Sequence, residues 1–233
     1  MSSNFFSWER FVHVFPQILQ KLPVTFEIVV IATIIGLLLG TLLAVIRIKR
    51  IPILNQLAYL MISFFRGTPA LVQMFIVYYG MPLLFRSYLN MDLSGVDKLF
   101  FVFITFGLNQ SGYMAELIRA AILSVPIGQT EAAYSVGLTG WQAFWRIVFP
   151  QAMKVAIPSL ETLFVMLLQD TALAYMIGVA DMMGKVRMIA ATTRHSIEGY
   201  IGVAIIFAAI SLILEGVFAL INRRALNKRK VTA

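Results

Sequence analysis

The sequence has no cysteine and few charged residues, and both absences narrow what the chain can be. Without cysteine there is neither a disulfide framework nor a thiolate metal site. Only 13% of the residues are charged, whereas 60% are hydrophobic and the mean hydropathy is +0.85. That balance is typical of a protein embedded in a lipid bilayer rather than of a water-soluble domain.

Residues that usually carry catalysis are also scarce. The two histidines, His13 and His195, fall in segments predicted to lie outside the bilayer, and the sequence contains no Walker A motif or nucleophile–base pair. The net charge of +8 comes from basic residues beside apolar stretches, which favours membrane lipid over nucleic acid as a partner. We therefore expect no catalytic residue, no metal site and no bound cofactor.

Apolar stretches divide the chain into predicted membrane spans, each able to cross a hydrocarbon core of about 30 Å. The sequence predicts an all-α integral membrane protein of the cell membrane with five transmembrane helices, at residues 27–47, 58–79, 99–119, 151–169 and 200–221. Gly67 and Pro69 are expected to break the second span, since proline lacks a backbone donor. Gly36 and Gly40 lie on one face of the first span and favour close helix packing.

Basic residues predict the orientation of these spans. Arg47, Lys49 and Arg50 follow the first span, and the cations of residues 223–230 follow the last. Positively charged ends stay on the cytoplasmic side. The N-terminus is therefore predicted outside and the C-terminus in the cytoplasm, which agrees with an odd number of crossings.

The segments outside the spans divide the chain further. Residues 1–22 are predicted to form an aromatic interfacial segment whose helix stops near Pro16, and residues 23–222 form the transmembrane domain. Residues 172–191 are expected to be a re-entrant or surface helix on the outside. Residues 223–233 are predicted to form a basic cytoplasmic tail.

One amphipathic insert, within residues 122–150, interrupts the apolar pattern. Glu131-Ala132-Ala133 is followed three residues later by Gly137 and, after nine more residues, by Ile147-Val148-Phe149-Pro150. Gly137 permits a sharp turn, Thr139 and Gln142 have the spacing of a capping box, and Pro150 is expected to end the second helix. The pattern predicts a helix–turn–helix on the membrane surface, which is either an ordinary interfacial helix or a docking site for another protein.

The spacing of that insert resembles the cytoplasmic loop signature of permease subunits of binding-protein-dependent ABC importers, with Phe149 where leucine is usual. Four further segments resemble the polar amino acid subgroup, which includes histidine, glutamine and cystine permeases: residues 65–69, 115–122, 125–129 and 170–171. Together these matches extend over residues 24–222.

The resemblance implies a function and a set of partners. Two permease subunits, as a homodimer or heterodimer, would form the translocation pathway, cytoplasmic ATPase subunits would hydrolyse ATP, and an extracytoplasmic solute-binding protein would deliver an amino acid. The ATPase would dock on the loop 122–150, through a set of motif residues: Glu131, Ala132, Ala133, Gly137, Ile147 and Pro150. Glu131 would be a polar anchor and Gly137 the elbow.

Polar residues at membrane depth are candidates for lining the pathway, because they are costly in lipid unless they face a partner or water. The candidates are Arg66, Asn109, Gln110, Tyr113, Glu161, Gln169 and Asp170. For Arg66 the alternative is a cation extending to the inner headgroups, and for the Asn109 cluster it is hydrogen bonding between helices. Glu161 is expected to be protonated, paired or hydrated.

The substrate is less well determined than the family. Residues 170–174 weakly favour cystine among polar amino acids, whereas the departures from the family pattern at Thr162 and Gln169 weaken any transfer of specificity. A cationic amino acid, with Glu161 as counter-ion, is the alternative substrate. A self-sufficient channel or secondary transporter is the alternative class, although no inverted repeat is visible.

Overall fold

The computed structural model describes the backbone of residues 5–227 and side chains up to residue 223, and this part of the chain contains helices and no strands. The α-helices are α1 Trp8–Leu19, α2 Leu22–Lys49, α3 Leu54–Gly67, α4 Ala70–Phe75, α5 Met81–Leu89, α6 Lys98–Leu123, α7 Ile127–Ser135, α8 Gly140–Ala143, α9 Phe149–Asp170, α10 Met182–Thr193 and α11 Ile197–Asn227. Lys228, Arg229 and Lys230 of the predicted basic tail lie outside the described residues.

Two π-helical turns join neighbouring α-helices, and each ends two residues before a proline. Ile76–Gly80 connects α4 to α5 before Pro82, and Phe144–Val148 connects α8 to α9 before Pro150. A proline leaves the carbonyl four residues earlier without its helical donor, and a wider turn lets carbonyls bond one residue further along. The chain therefore runs through both prolines as continuous helices, Ala70–Leu89 and Gly140–Ile177.

Four helical stretches of the described residues are long and apolar enough to cross a membrane: Trp8–Lys49, Ala70–Leu89, Gly140–Ile177 and Ile197–Arg223. α6 has the length of a span but is not among the four, since Asn109, Gln110 and Ser111 lower its hydropathy. These three residues are nevertheless buried. α6 is thus a central helix whose polar residues face protein.

The packing of α2 against α6 depends on glycine. A Cβ atom added at Gly36 would lie 2.7 Å from Cβ of Gln110, and one at Gly40 would lie 2.7 Å from Cβ of Met114. Real Cβ atoms do not approach so closely, so both positions need glycine at this helix separation. The predicted small-residue face of α2 is confirmed, and its partner is α6.

Gly40→Ala is expected to destabilise the protein by roughly 1–3 kcal/mol, since an added methyl group overfills a packed contact. Gly216→Ala is the matched control, because a Cβ there meets nothing within 4 Å in the interior of α11. The control should be neutral or slightly stabilising, as alanine favours a helix. Thermal unfolding of both purified variants in one detergent checks the prediction, and equal melting temperatures would contradict it.

The N-terminal helix differs from its prediction. α1 does not stop at Pro16 but continues to Leu19, and it is anchored to the start of α11. Glu198, only 3% exposed, accepts hydrogen bonds from the Ser7 backbone N–H at 2.9 Å and from Nε of Arg10 at 2.8 Å. A carboxylate so buried requires such partners, and they lie about 190 positions away in the sequence, beyond the reach of sequence patterns.

Asp181 caps the helix α10, which follows the apolar stretch Gly140–Ile177. Its Oδ1 accepts from the Gly184 backbone N–H at 2.8 Å, whereas its Oδ2 is buried without a partner. Burial raises the pKa of this carboxyl from 3.8 to about 6. The ionised side chain is therefore destabilising at neutral pH, and the folded protein binds the proton more tightly than the unfolded chain does.

At pH 7.5, Asp181→Asn is expected to match the wild type in stability or to exceed it by up to roughly 3 kcal/mol. This advantage should disappear as the pH falls through 6 towards 4. The wild type gains stability over that interval as Asp181 takes up its proton. Melting temperatures at both ends of the interval measure the effect. Asp97→Asn, at the exposed cap of α6, is the control. A difference between D181N and wild type that does not change with pH would contradict the assignment.

Candidate functional site

The break between α3 and α4 results from a gap in helical hydrogen bonding. In a continuous helix the Phe65 carbonyl would accept from the backbone N–H of residue 69, but residue 69 is proline. Two side-chain amides replace that donor, since Nε2 of Gln73 and Nδ2 of Asn109 each lie 3.0 Å from the Phe65 carbonyl oxygen. The predicted break is confirmed, and α6 is hydrogen-bonded directly to it.

A cavity of about 480 Å³ lies beside this break, between the α3–α4 junction, α6 and α9. Its volume is in the range of small-molecule sites. Polar and apolar residues both line it: Arg66, Gly67, Thr68, Pro69, Ala70, Leu71, Asn109, Tyr113, Met166, Asp170 and Leu173.

The cavity carries one cation and one carboxylate. The Arg66 guanidinium lies 5.6 Å from the centre of the Tyr113 ring, a cation–π contact that orients it. Within the described side chains the ion pairs are Arg10–Glu198 and Arg119–Glu116, so Arg66 and Asp170 have no ionic partner. The lining of the cavity therefore includes one positively and one negatively charged side chain.

The structure brings together four of the seven candidate pathway residues, namely Arg66, Asn109, Tyr113 and Asp170. The other three lie elsewhere. Gln110 is buried against Gly36 of α2, Glu161 is partly exposed on α9, and Gln169 is exposed on α9 beside Asp170. The cavity thus has a single acidic side chain.

Sequence reasoning missed Gln73 and Met166. Met166 precedes Asp170 by one helical turn and therefore shares its face of α9, a spacing that could have indicated it. Gln73 follows Pro69 by four residues, so an amide stands one turn beyond a proline that leaves a carbonyl free. This spacing of Gln73 after Pro69 could have indicated that Gln73 binds the free carbonyl.

The loop candidates lie on and after α7. Glu131 and Ala132 are exposed on this helix, whereas Ala133 is 4% exposed and packs inward. Gly137 has φ +80°, a conformation that favours glycine, so the predicted turn is confirmed at this residue. The capping box is also present: the Thr139 backbone N–H donates to Gln142 Oε1 at 3.0 Å, and the Gln142 N–H donates to Thr139 Oγ1 at 3.4 Å.

One prediction about the loop is wrong. Pro150 does not end the second helix, because the π-helical turn Phe144–Val148 carries the chain through it into α9. Ile147 lies in that turn and is half-buried, while Pro150 is exposed at the first turn of α9. The second half of the predicted helix–turn–helix is therefore the beginning of a long helix rather than a separate surface element.

This continuity connects the loop to the cavity. The helix from Gly140 reaches Asp170 without a break, a distance of about 45 Å at 1.5 Å per residue. At its first end the Gln151 amide donates to Gln129 Oε1 of α7 at 3.3 Å. At its other end Met166 and Asp170 line the cavity. One continuous helical stretch therefore contacts α7 and also lines the cavity.

Comparison with known proteins agrees with this arrangement. The family described as the binding-protein-dependent transport system inner membrane component matches residues 36–227. The chain belongs to this family. It is accordingly a multi-pass protein of the cell membrane. The match confirms the family that the loop signature predicted.

Individual relatives cover almost the whole chain. The L-cystine transport system permease protein TcyL of Bacillus subtilis is 44% identical over 90% of this chain and 87% of that protein. The probable amino-acid permease protein YxeN of the same organism is 40% identical over 90% and 92%, respectively. A solved structure, described as an amino acid ABC transporter with histidines, superposes with a TM-score of 0.80 at 30% identity, covering 96% of this chain and 100% of that chain.

Proposed function

We propose that this chain is the permease subunit of an ATP-driven amino acid importer. It would form the translocation pathway with a second permease subunit and couple to cytoplasmic ATPase subunits, which hydrolyse the ATP. An extracytoplasmic solute-binding protein would deliver the substrate. The names of the 44% and 40% identical relatives, a cystine permease and a probable amino-acid permease, support the substrate class.

The observation that carries the proposal is the helix that joins α7 to the cavity. Alternating access needs a movement at the ATPase to change the shape of the pathway, and a rigid-body tilt of packed helices is an established way to do this. Gly140–Ile177 begins at the elbow beside α7 and includes Asp170 of the cavity wall. The docking residues would be those of the motif around Glu131 and Gly137.

The charges of the cavity support an amino acid as ligand. Arg66 would bind the α-carboxylate and Asp170 the α-ammonium, while Met166, Leu71 and Leu173 would contact the side chain. A cationic amino acid would need a second acidic group, and Glu161 does not line the cavity. We favour a polar or sulfur-containing amino acid over a cationic one, and we place cystine first because the 44% identical relative is named as a cystine permease.

The topology that fits this function has five spans, with the N-terminus outside and the C-terminus in the cytoplasm. The spans would be α2, the Ala70–Leu89 helix, α6, α9 and α11. Arg47, Lys49 and Arg50 at the end of α2 and Arg223 near the end of α11 would then lie in the cytoplasm. This arrangement also places α7 on the cytoplasmic side, within reach of an ATPase.

Reconstitution into liposomes tests the proposal. The chain with its ATPase and binding protein should take up labelled cystine in an ATP-dependent manner, and the chain alone should take up none. Uptake by the chain alone would reject the importer assignment in favour of a self-sufficient transporter. ATP-dependent uptake of labelled arginine in preference to cystine would instead replace the substrate and leave the importer assignment intact.

A further inference from the structure

Two buried amides hold the α3–α4 break in one conformation. Gln73 is 4% exposed and Asn109 5%, so both amides are buried. The Gln73 amide donates to the Phe65 carbonyl, to the Thr68 carbonyl at 3.1 Å and to Thr68 Oγ1 at 2.7 Å. Its own Oε1 accepts from Asn109 Nδ2 at 3.2 Å. We name Gln73, Asn109 and the two carbonyls the amide clasp.

The amide clasp surrounds residues that form the cavity wall. Residues 66–71, which line the cavity, all lie between the clasped carbonyl of Phe65 and the side chain of Gln73. Gln73 itself does not line the cavity. An effect of Gln73 on the ligand would therefore be exerted through the position of this segment and not through contact.

The neighbouring face of α6 is shaped to the same segment. A Cβ added at Gly112 would lie 2.9 Å from Phe65 Cβ and 3.3 Å from Arg66 Cγ, so the end of α3 packs directly on α6 at this glycine. Asn109 lies one turn earlier on the same face. Three features therefore fix the position of Arg66: the contact with Gly112, the Tyr113 ring and the amide clasp.

We propose that Gln73 is a positioning residue for the ligand site: its hydrogen bonds fix the α3–α4 break so that Arg66 is held in the wall of the cavity that Asp170 also lines. This inference rests on the proposed function of the cavity. Without the Gln73 donors the Phe65 carbonyl keeps only Asn109 as a side-chain donor, and the Thr68 carbonyl loses its side-chain donor. The segment carrying Arg66 is then held less firmly.

The test uses the assembled transporter with its ATPase and compares three variants. Gln73→Met keeps the size of the side chain and removes its donors and acceptor. Thr105→Val is the control, because it removes another buried hydrogen bond of α6, the 2.7 Å bond to the Phe101 carbonyl, one turn before Asn109. Asp170→Asn tests the cavity itself. The KM and maximal rate of cystine uptake and the melting temperature are measured for each.

Gln73→Met is expected to raise KM by about tenfold, which corresponds to a weakened hydrogen bond between Arg66 and the ligand. The maximal rate should stay within about twofold of wild type. Thr105→Val should lower the melting temperature and leave KM unchanged. A purely structural role for Gln73 would make Gln73→Met behave as Thr105→Val does, and would overturn the inference. If Asp170→Asn also left KM unchanged, the proposed function of the cavity would fail instead.

Gln73→Leu provides the same test if Gln73→Met does not assemble. The leucine side chain has neither a donor for the two carbonyls nor an acceptor for Asn109. Its KM should rise as for Gln73→Met, and a wild-type KM would overturn the inference.

Discussion

Asp170→Asn in the assembled transporter is expected to reduce amino acid uptake at low substrate concentration by at least about tenfold, because a hydrogen bond to a charged group contributes roughly 1.5–3 kcal/mol and Asp170 is half-buried. Asp170 is the acidic residue of the cavity, so no other carboxylate there would bind the substrate ammonium. Uptake of labelled substrate over a concentration range, by transporter reconstituted with its ATPase and binding protein, measures the loss.

Glu215→Gln is the control for this result. Glu215 is also an acidic residue in an apolar helix, but it is exposed on α11 and does not line the cavity. It should leave uptake within about twofold of wild type, because Glu215 is not part of the cavity lining. Equal losses in the two variants, or normal uptake by Asp170→Asn, would contradict the assignment of the cavity as the substrate site.

Gly137→Val is expected to reduce the amount of ATPase that co-purifies with the permease by at least about tenfold, since a β-branched residue at φ +80° costs about 1–3 kcal/mol and shifts the elbow. Fold stability should fall by no more than this strain, about 1–3 kcal/mol, because Gly137 is exposed and a Cβ there meets nothing within 4 Å. Co-purification of a tagged ATPase, with melting temperature measured in parallel, separates docking from folding.

Gly137→Asn is the matched control at the same position. Asparagine tolerates the left-handed region far better than valine does, so this variant should retain most of the bound ATPase. If valine and asparagine gave the same loss, the size of the side chain rather than the backbone angle would be responsible. If neither gave a loss, the ATPase would dock elsewhere.

Local features of this fold could be predicted from the sequence because each depends on residues close together in the chain. The break at Gly67 and Pro69, the turn at Gly137 and the capping box of Thr139 and Gln142 are all of this kind. Each follows from a short-range rule on donors, caps or backbone angles.

Two kinds of feature could not be predicted. The helices continue through Pro16 and Pro150 instead of ending there. At Pro150 this depends on a π-helical turn, which the sequence analysis did not predict. The presence of Arg66 and Asp170 in the lining of one cavity depends on which face each helix presents. Lipid-facing and protein-facing residues are equally apolar in such helices, so hydrophobic periodicity gives little information on that face.

The side of the membrane on which α7 lies tests the whole account most directly. The natural sequence has no cysteine, so a single cysteine can be labelled without background. Ser135→Cys, exposed on α7, and Ser94→Cys, exposed in the loop before α6, are compared in intact cells with a membrane-impermeant maleimide. We expect labelling at position 94 at once and at position 135 only after the membrane is permeabilised. Labelling of position 135 from outside would place α7 beyond the reach of any ATPase and contradict the account.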